Sequence, residues 1–164
     1  MRDIRFIAQH RGGPLPREHH RLLSVWSADC VEHVLQHFTA VSHDDRPRKA
    51  LEIARQWARG EIKVGVAQKA SVACHACARE IIAKTPDQTA AIAIARAAGH
   101  AVATAHFAEH SLGGANYAIN AIAALGHSKH DERNWQLQQL QPEISELVTS
   151  ALNGSRFASV MRDR

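Results

Sequence analysis

The stretch His106-Phe107-Ala108-Glu109-His110 holds the residue types with the most chemical promise. It has the H-x-x-E-H spacing of a zinc-peptidase motif, in which two imidazoles bind the metal and the carboxylate activates water. On one continuous helix a four-residue step brings both rings to the same face. His106 and His110 are therefore the candidate zinc ligands, with Glu109 beside them. A metallohydrolase needs a third protein ligand, and the nearest downstream acids, Glu143 and Glu146, have no ligand-like context. The bland reading of the same letters is a helix end whose histidines cap carbonyls or pair with acids.

Cys74 and Cys77 form a C-x-x-C pair in the middle of an expected helix. There no helix N-terminus lowers a thiol pKa, so the pair reads as small core hydrophobes. G-x-S-x-G, P-loop and G-x-G-x-x-G patterns are all missing, and no nucleophile–base pair can be inferred. No residue is assigned to catalysis, and no cofactor is expected apart from the alternative zinc.

The elements that must position these residues are helices. Leu23, Trp26, Cys30, Val31, Val34, Leu35 and Phe38 recur at three- and four-residue steps and predict a helix from about Arg17 to Val41. Asp44 or Asp45 can cap the next, with Pro47 in its first turn and Gly60 at its end. A third covers Val64 to Lys84. The fourth, from about Asp87 to His110, is apolar on almost every face and should be buried nearly all round, with Gly99 at its tightest crossing. Gly113–Gly114 is expected to interrupt it before Ala115 to Leu125. A last helix spans Asp131 to Leu152, bent or split at Pro142.

Composition agrees with that pattern. The 164 residues include 29 alanines, the best helix former, and 5% aromatics, which together favour an all-α fold. The expectation is one domain over residues 1–164, a bundle of about six helices with an alanine-rich, closely packed centre. Residues 1–16 form a terminal segment and loop, 17–152 the core and 153–164 a tail. No membrane span and no secretory signal are expected, and three cysteines are too few for a disulfide framework, so a cytoplasmic protein is the default. The net charge of +4 and pI near 9.3 allow an acidic partner. The Lys and Arg residues are scattered, so a nucleic-acid role rests on pI alone.

Several stretches taken together resemble a known family: LSVWSADCVEHVL (Leu23 to Leu35), DDRPRKALEIARQWARGEIKVG (Asp44 to Gly65), ACHACARE (Ala73 to Glu80) and ARAAGHAVATAHFAEHSLGGANYA (Ala95 to Ala118). They resemble bacterial immunity proteins with an Imm-5-like domain, over roughly residues 22 to 125. The resemblance implies a helical, non-enzymatic module that binds another protein, a toxin domain, with self-association left open. A helical metal-binding protein using His106, Glu109 and His110 is the alternative, and a nucleic-acid-associated protein the second alternative. The polar landmarks Asp29, Arg46, Arg48, Arg59, Glu61 and His100 are either an interaction surface or internal pairs that fix helix order, Asp29 with Arg48 for instance.

Overall fold

The computed structural model describes residues 3–162, the side chains of 155 and 156 excepted. The three- and four-residue spacing of apolar side chains from Leu23 onward produces α1 (Arg17–Thr39), and this helix has two working faces. Ala28, Val31, Val34, Leu35 and Phe38 enter one buried cluster, while Leu23, Trp26 and Cys30 enter a second. Pro47 sits in the first turn of α2 (Arg46–Ala58), where its missing N–H costs nothing. Asp45 holds the cap position without a side-chain bond, and Asp44 instead accepts from the Arg46 backbone N–H at 3.0 Å. Gly60 then turns the chain at φ 79° into α3 (Val64–Lys84).

The alanine-rich α4 (Thr89–Ala103) is the axis of the molecule, packed against α1, α2, α3 and α5. Ala91, Ala93, Ile94, Ala95, Ala97, Ala98, Ala101 and Val102 are all buried on it, as the uniformly apolar sequence requires. It ends at Ala103, seven residues short of the expected His110. A turn follows over 104–109, and α5 (His110–Ala124) runs through Gly113 and Gly114 without interruption. The expected break was thus assigned to the wrong residues.

Ser128 Oγ accepts from the Asp131 N–H and starts α6 (Lys129–Gln138). Pro142 divides the last expected helix, giving a separate α7 (Pro142–Leu152), followed by the single turn α8 (Ser155–Ala158). The described residues hold seven helices of ten residues or more and no strand, only one isolated bridge between Ala8 and Leu15. That bridge folds the N-terminal segment back on itself and seats Phe6 and Leu15 in the second core with α1, α5 and α7. No helix among the described residues is long and apolar enough to cross a membrane.

Candidate functional site

A cavity of about 610 Å³ opens where the N-terminal segment, the 104–109 turn, α5 and the C-terminal tail meet. Phe6, Ile7, Phe107, Phe157 and Val160 supply apolar wall, and His20, His100, His106, His110, Asn116 and Tyr117 supply polar and π surface. Four of the twelve histidines therefore face one space.

His100 anchors the group. Its ring lies against Tyr117, with centroids 5.1 Å apart and planes 20° from parallel, and the His75 ring of α3 meets it edge-on at 5.4 Å. His100 Nδ1 is 3.1 Å from His110 Nδ1. Two ring nitrogens can share one hydrogen bond only if one carries the proton and the other does not. One of the two Nε2 atoms is then a donor and the other an acceptor. Burial first, then His110, His75 and Arg96, pushes His100 down to about 4, so the pair is neutral at physiological pH. Gly113 makes this geometry sterically accessible, because a Cβ there would lie 2.7 Å from His100 Nδ1. His20, buried at the base of α1, has its Nε2 2.6 Å from the Thr104 carbonyl oxygen. A carbonyl only accepts, so Nε2 carries the proton; burial lowers the His20 pKa and leaves Nδ1 as an acceptor.

Asn116 joins the cavity to a second polar group behind it. Arg133, buried on α6, donates to Asn116 Oδ1 and, at 3.1 Å, to Gln136 Oε1. Gln136 Nε2 donates to the Ala115 carbonyl at 3.0 Å and lies 3.3 Å from Glu132 Oε1. Glu132 Oε2 is 2.9 Å from His33 Nδ1, and the His33 ring stacks on Trp135 at 3.6 Å. Trp26 closes the cluster by donating to the Gln136 carbonyl at 2.8 Å. Arg133 has neutral acceptors rather than a carboxylate at its guanidinium, and burial lowers its pKa to about 10. With Oδ1 turned to Arg133, the Asn116 amide has one orientation, and its buried Nδ2 has no hydrogen-bond partner. A buried amide donor left unmade costs roughly 1–3 kcal/mol.

The residues singled out by sequence divide between this cavity and the opposite part of the fold. His100, His106, Glu109 and His110 line the cavity together. His106 and His110 are not one helical turn apart, however: His106 is in the turn after α4 and His110 is the first residue of α5, so the spacing argument for a shared face lapses. No group of three or more potential metal ligands is gathered among the described residues. Asp29 pairs with Arg55 at 2.7 Å, not with Arg48, which is exposed on α2 one turn too early to reach it. Arg46 bridges Asp44 and Glu80 and ties the start of α2 to α3, while Arg59 pairs with Glu61 at 2.6 Å on the surface. His20, Asn116 and Tyr117 escaped the sequence reading. Asn116 alone left a signal there, as an uncharged polar residue inside the apolar run Ala115 to Ala124.

Cys30, Cys74 and Cys77 are free and buried. Burial raises the Cys74 thiol to about 12 and the Cys77 thiol to about 11, and it raises Cys30 as well. Thiolate fraction controls reactivity. A disulfide-exchange reagent at pH 8 should therefore label none of the three within minutes in the native protein, and all three after unfolding; rapid native labelling of Cys74 or Cys77 would contradict this placement.

A different surface lies on α3. Val64, Val66, Val72 and Ile82 are exposed there, four of the seven exposed large hydrophobics among the described residues. Val72 is 66% accessible. At 100° per residue, Val64, Val72, Arg79 and Ile82 fall within about 80° of the helix circumference, a single stripe. Lys69 and Lys84, also exposed, flank it.

Compared with known proteins, residues 13–143 match the family described as Imm-5 like putative immunity protein. No curated protein and no solved structure matches the chain.

Proposed function

We propose that this chain, which belongs to the Imm-5 like family of immunity proteins, neutralises a toxin domain by binding it through the outer stripe of α3. The observation that carries the reading is that stripe. β-Branched residues on a solvated helix face lose side-chain entropy and bury nothing in return. Their concentration on one helix gives a partner a continuous apolar strip. Lys69, Arg79 and Lys84 line the strip against a single acid of α3, Glu80, which is engaged by Arg46. The surface therefore suits a partner with an apolar centre and an acidic rim. The overall charge of +4 favours encounter with such a partner from a distance. The fit is to a protein face and not to a nucleic-acid backbone, because the cations frame apolar side chains and alternate with no aromatic stacking platform.

The test is co-expression with the toxin domain encoded by the adjacent reading frame, read as recovery of growth and co-elution of the two proteins. Val72→Asp places a charge in the middle of the strip and should weaken binding at least a hundredfold, abolishing recovery. Because Val72 packs against nothing, the melting temperature should stay within a degree or two. Toxicity unrelieved by the unaltered chain would sink the immunity reading. Full protection by Val72→Asp would move the docking surface off α3.

A further inference from the structure

We infer that the cavity beside α5 is a binding site for a small flat molecule of one or two aromatic rings bearing a carbonyl or carboxylate oxygen, with Asn116 Nδ2 as the donor to that oxygen. The inference is independent of the α3 reading, since none of the α3 stripe residues lines the cavity.

Four observations lead to this ligand class. The volume of about 610 Å³ lies in the range of small-molecule pockets. The walls are flat: Phe6, Phe107, His100, His110 and Tyr117 present ring faces and edges, which favour an aromatic guest over a branched aliphatic one. Asn116 is 5% exposed, lines this cavity and holds a donor without a partner. A guest oxygen is the complement that satisfies it. Its orientation is not adjustable, because flipping the amide would set its NH2 against the Arg133 guanidinium, donor facing donor. The neutral His100–His110 pair adds one N–H and one lone pair at the two Nε2 atoms, a set that suits an amide or heteroaromatic edge.

Charge narrows the class further. Among the lining residues the fixed cation is Arg11, whose guanidinium sits 4.7 Å above the Phe107 ring, and the lining acids are Asp3 and Glu109. One cation against two acids does not build a phosphate site, where several converging N–H donors or cations are the rule. The guest is neutral or carries one negative charge.

The experiment uses the full chain at pH 7.5 and three probes titrated by NMR: benzamide, benzoate and indole. Benzamide has ring and carbonyl, benzoate has ring and carboxylate, and indole has the ring without an oxygen. In the unaltered protein the side-chain NH2 resonances of Asn116 should move with benzamide or benzoate and stay in place with indole, while ring resonances of Phe107 and Tyr117 move with all that bind. Asn116→Asp keeps the shape and the acceptor facing Arg133 but replaces the donor by an oxygen. It should weaken benzamide at least tenfold and leave indole within twofold. Val72→Asp should leave all three titrations unchanged, which separates this site from the docking surface. Absence of shifts at cavity residues with any probe at millimolar concentration would overturn the inference, as would equal weakening of indole and benzamide in Asn116→Asp. Should that variant fail to fold, the Asn116 NH2 shifts of the unaltered protein decide the matter alone: unmoved by benzamide and benzoate alike, they refute the assignment.

Discussion

Gly114→Val should lower the melting temperature by about 10 °C or leave the protein unfolded. Gly114 lies inside α5 where that helix crosses α1 and α4. A Cβ at this position would come 2.3 Å from Ser27 Oγ and 3.3 Å from the Ala101 backbone nitrogen. Propensity argues the other way, since glycine in a helix is worse than alanine by about 1 kcal/mol and worse than valine by less. The steric side prevails because Ser27 is fully buried and donates to the Ser111 carbonyl at 3.0 Å. Turning Oγ away orphans a buried hydroxyl, and the two extra methyls of valine then meet backbone that cannot turn. Overpacking of this kind costs 1–3 kcal/mol and more when backbone must move; about 3 kcal/mol corresponds to roughly 10 °C for a chain of this size. Thermal unfolding followed by circular dichroism measures it. Gly114→Ala should show a smaller loss that Ser27→Ala largely restores, because the nearest atom is then gone. A Gly114→Val protein melting within a degree of the parent would mean the three helices do not meet there.

The same glycine shows where sequence reasoning stops. Helices built on a clear apolar stripe were legible: Leu23 to Phe38 gave α1, and Pro47, Gly60 and Pro142 marked ends that the chain respects. Those signals are local. The break between α4 and α5 is not local, because Ala95 to Ala124 holds no proline and consists largely of residues that propagate a helix. What accompanies the break is tertiary. The Thr104 carbonyl, which would accept the Ala108 N–H in a continued helix, accepts instead from His20, eighty-four positions earlier. Gly113–Gly114 looked like the breaker because glycine usually is one. Here the pair is helical, and its missing side chains make room for the His100 ring and Ser27.

The site was legible by halves for a related reason. His100, His106, Glu109 and His110 stood out by residue type, and the fold does bring them to one cavity. The geometry read from their spacing failed, since it assumed one helix where there are two. Asn116 drew no notice because its meaning depends on Arg133, which fixes the amide from another helix. A helical period says which face a residue shares; it does not say which polar atom a distant guanidinium leaves without a partner.

Acid should destabilise this protein earlier than its carboxylates can explain. His100 has its pKa depressed from 6.5 to about 4 by burial, with His110, His75 and Arg96 acting in the same direction. Burial lowers His20 and His75 too. A depressed folded pKa means that below pH 6.5 the unfolded chain takes up a proton that the folded chain refuses. Stability is then complete above about 6.5 and falls as pH drops toward 4. At 1.36 kcal/mol per unit, His100 alone accounts for about 3 kcal/mol over that window. The depressed carboxylates act lower: Asp44, held near 2 by its bonds from Arg46, loses its contribution only as pH falls below the ordinary carboxylate value of 3.8 toward 2. The two effects therefore separate on the pH axis. Urea midpoints measured from pH 7.5 to 4.5 should decline, most steeply below 6.5. His100→Gln keeps a hydrogen-bonding, uncharged side chain, so it should flatten that decline by more than half while leaving the loss below pH 4 in place. Parallel declines in the two proteins would assign the acid sensitivity elsewhere and would mean that the His100 imidazole is readily protonated where it stands against Tyr117.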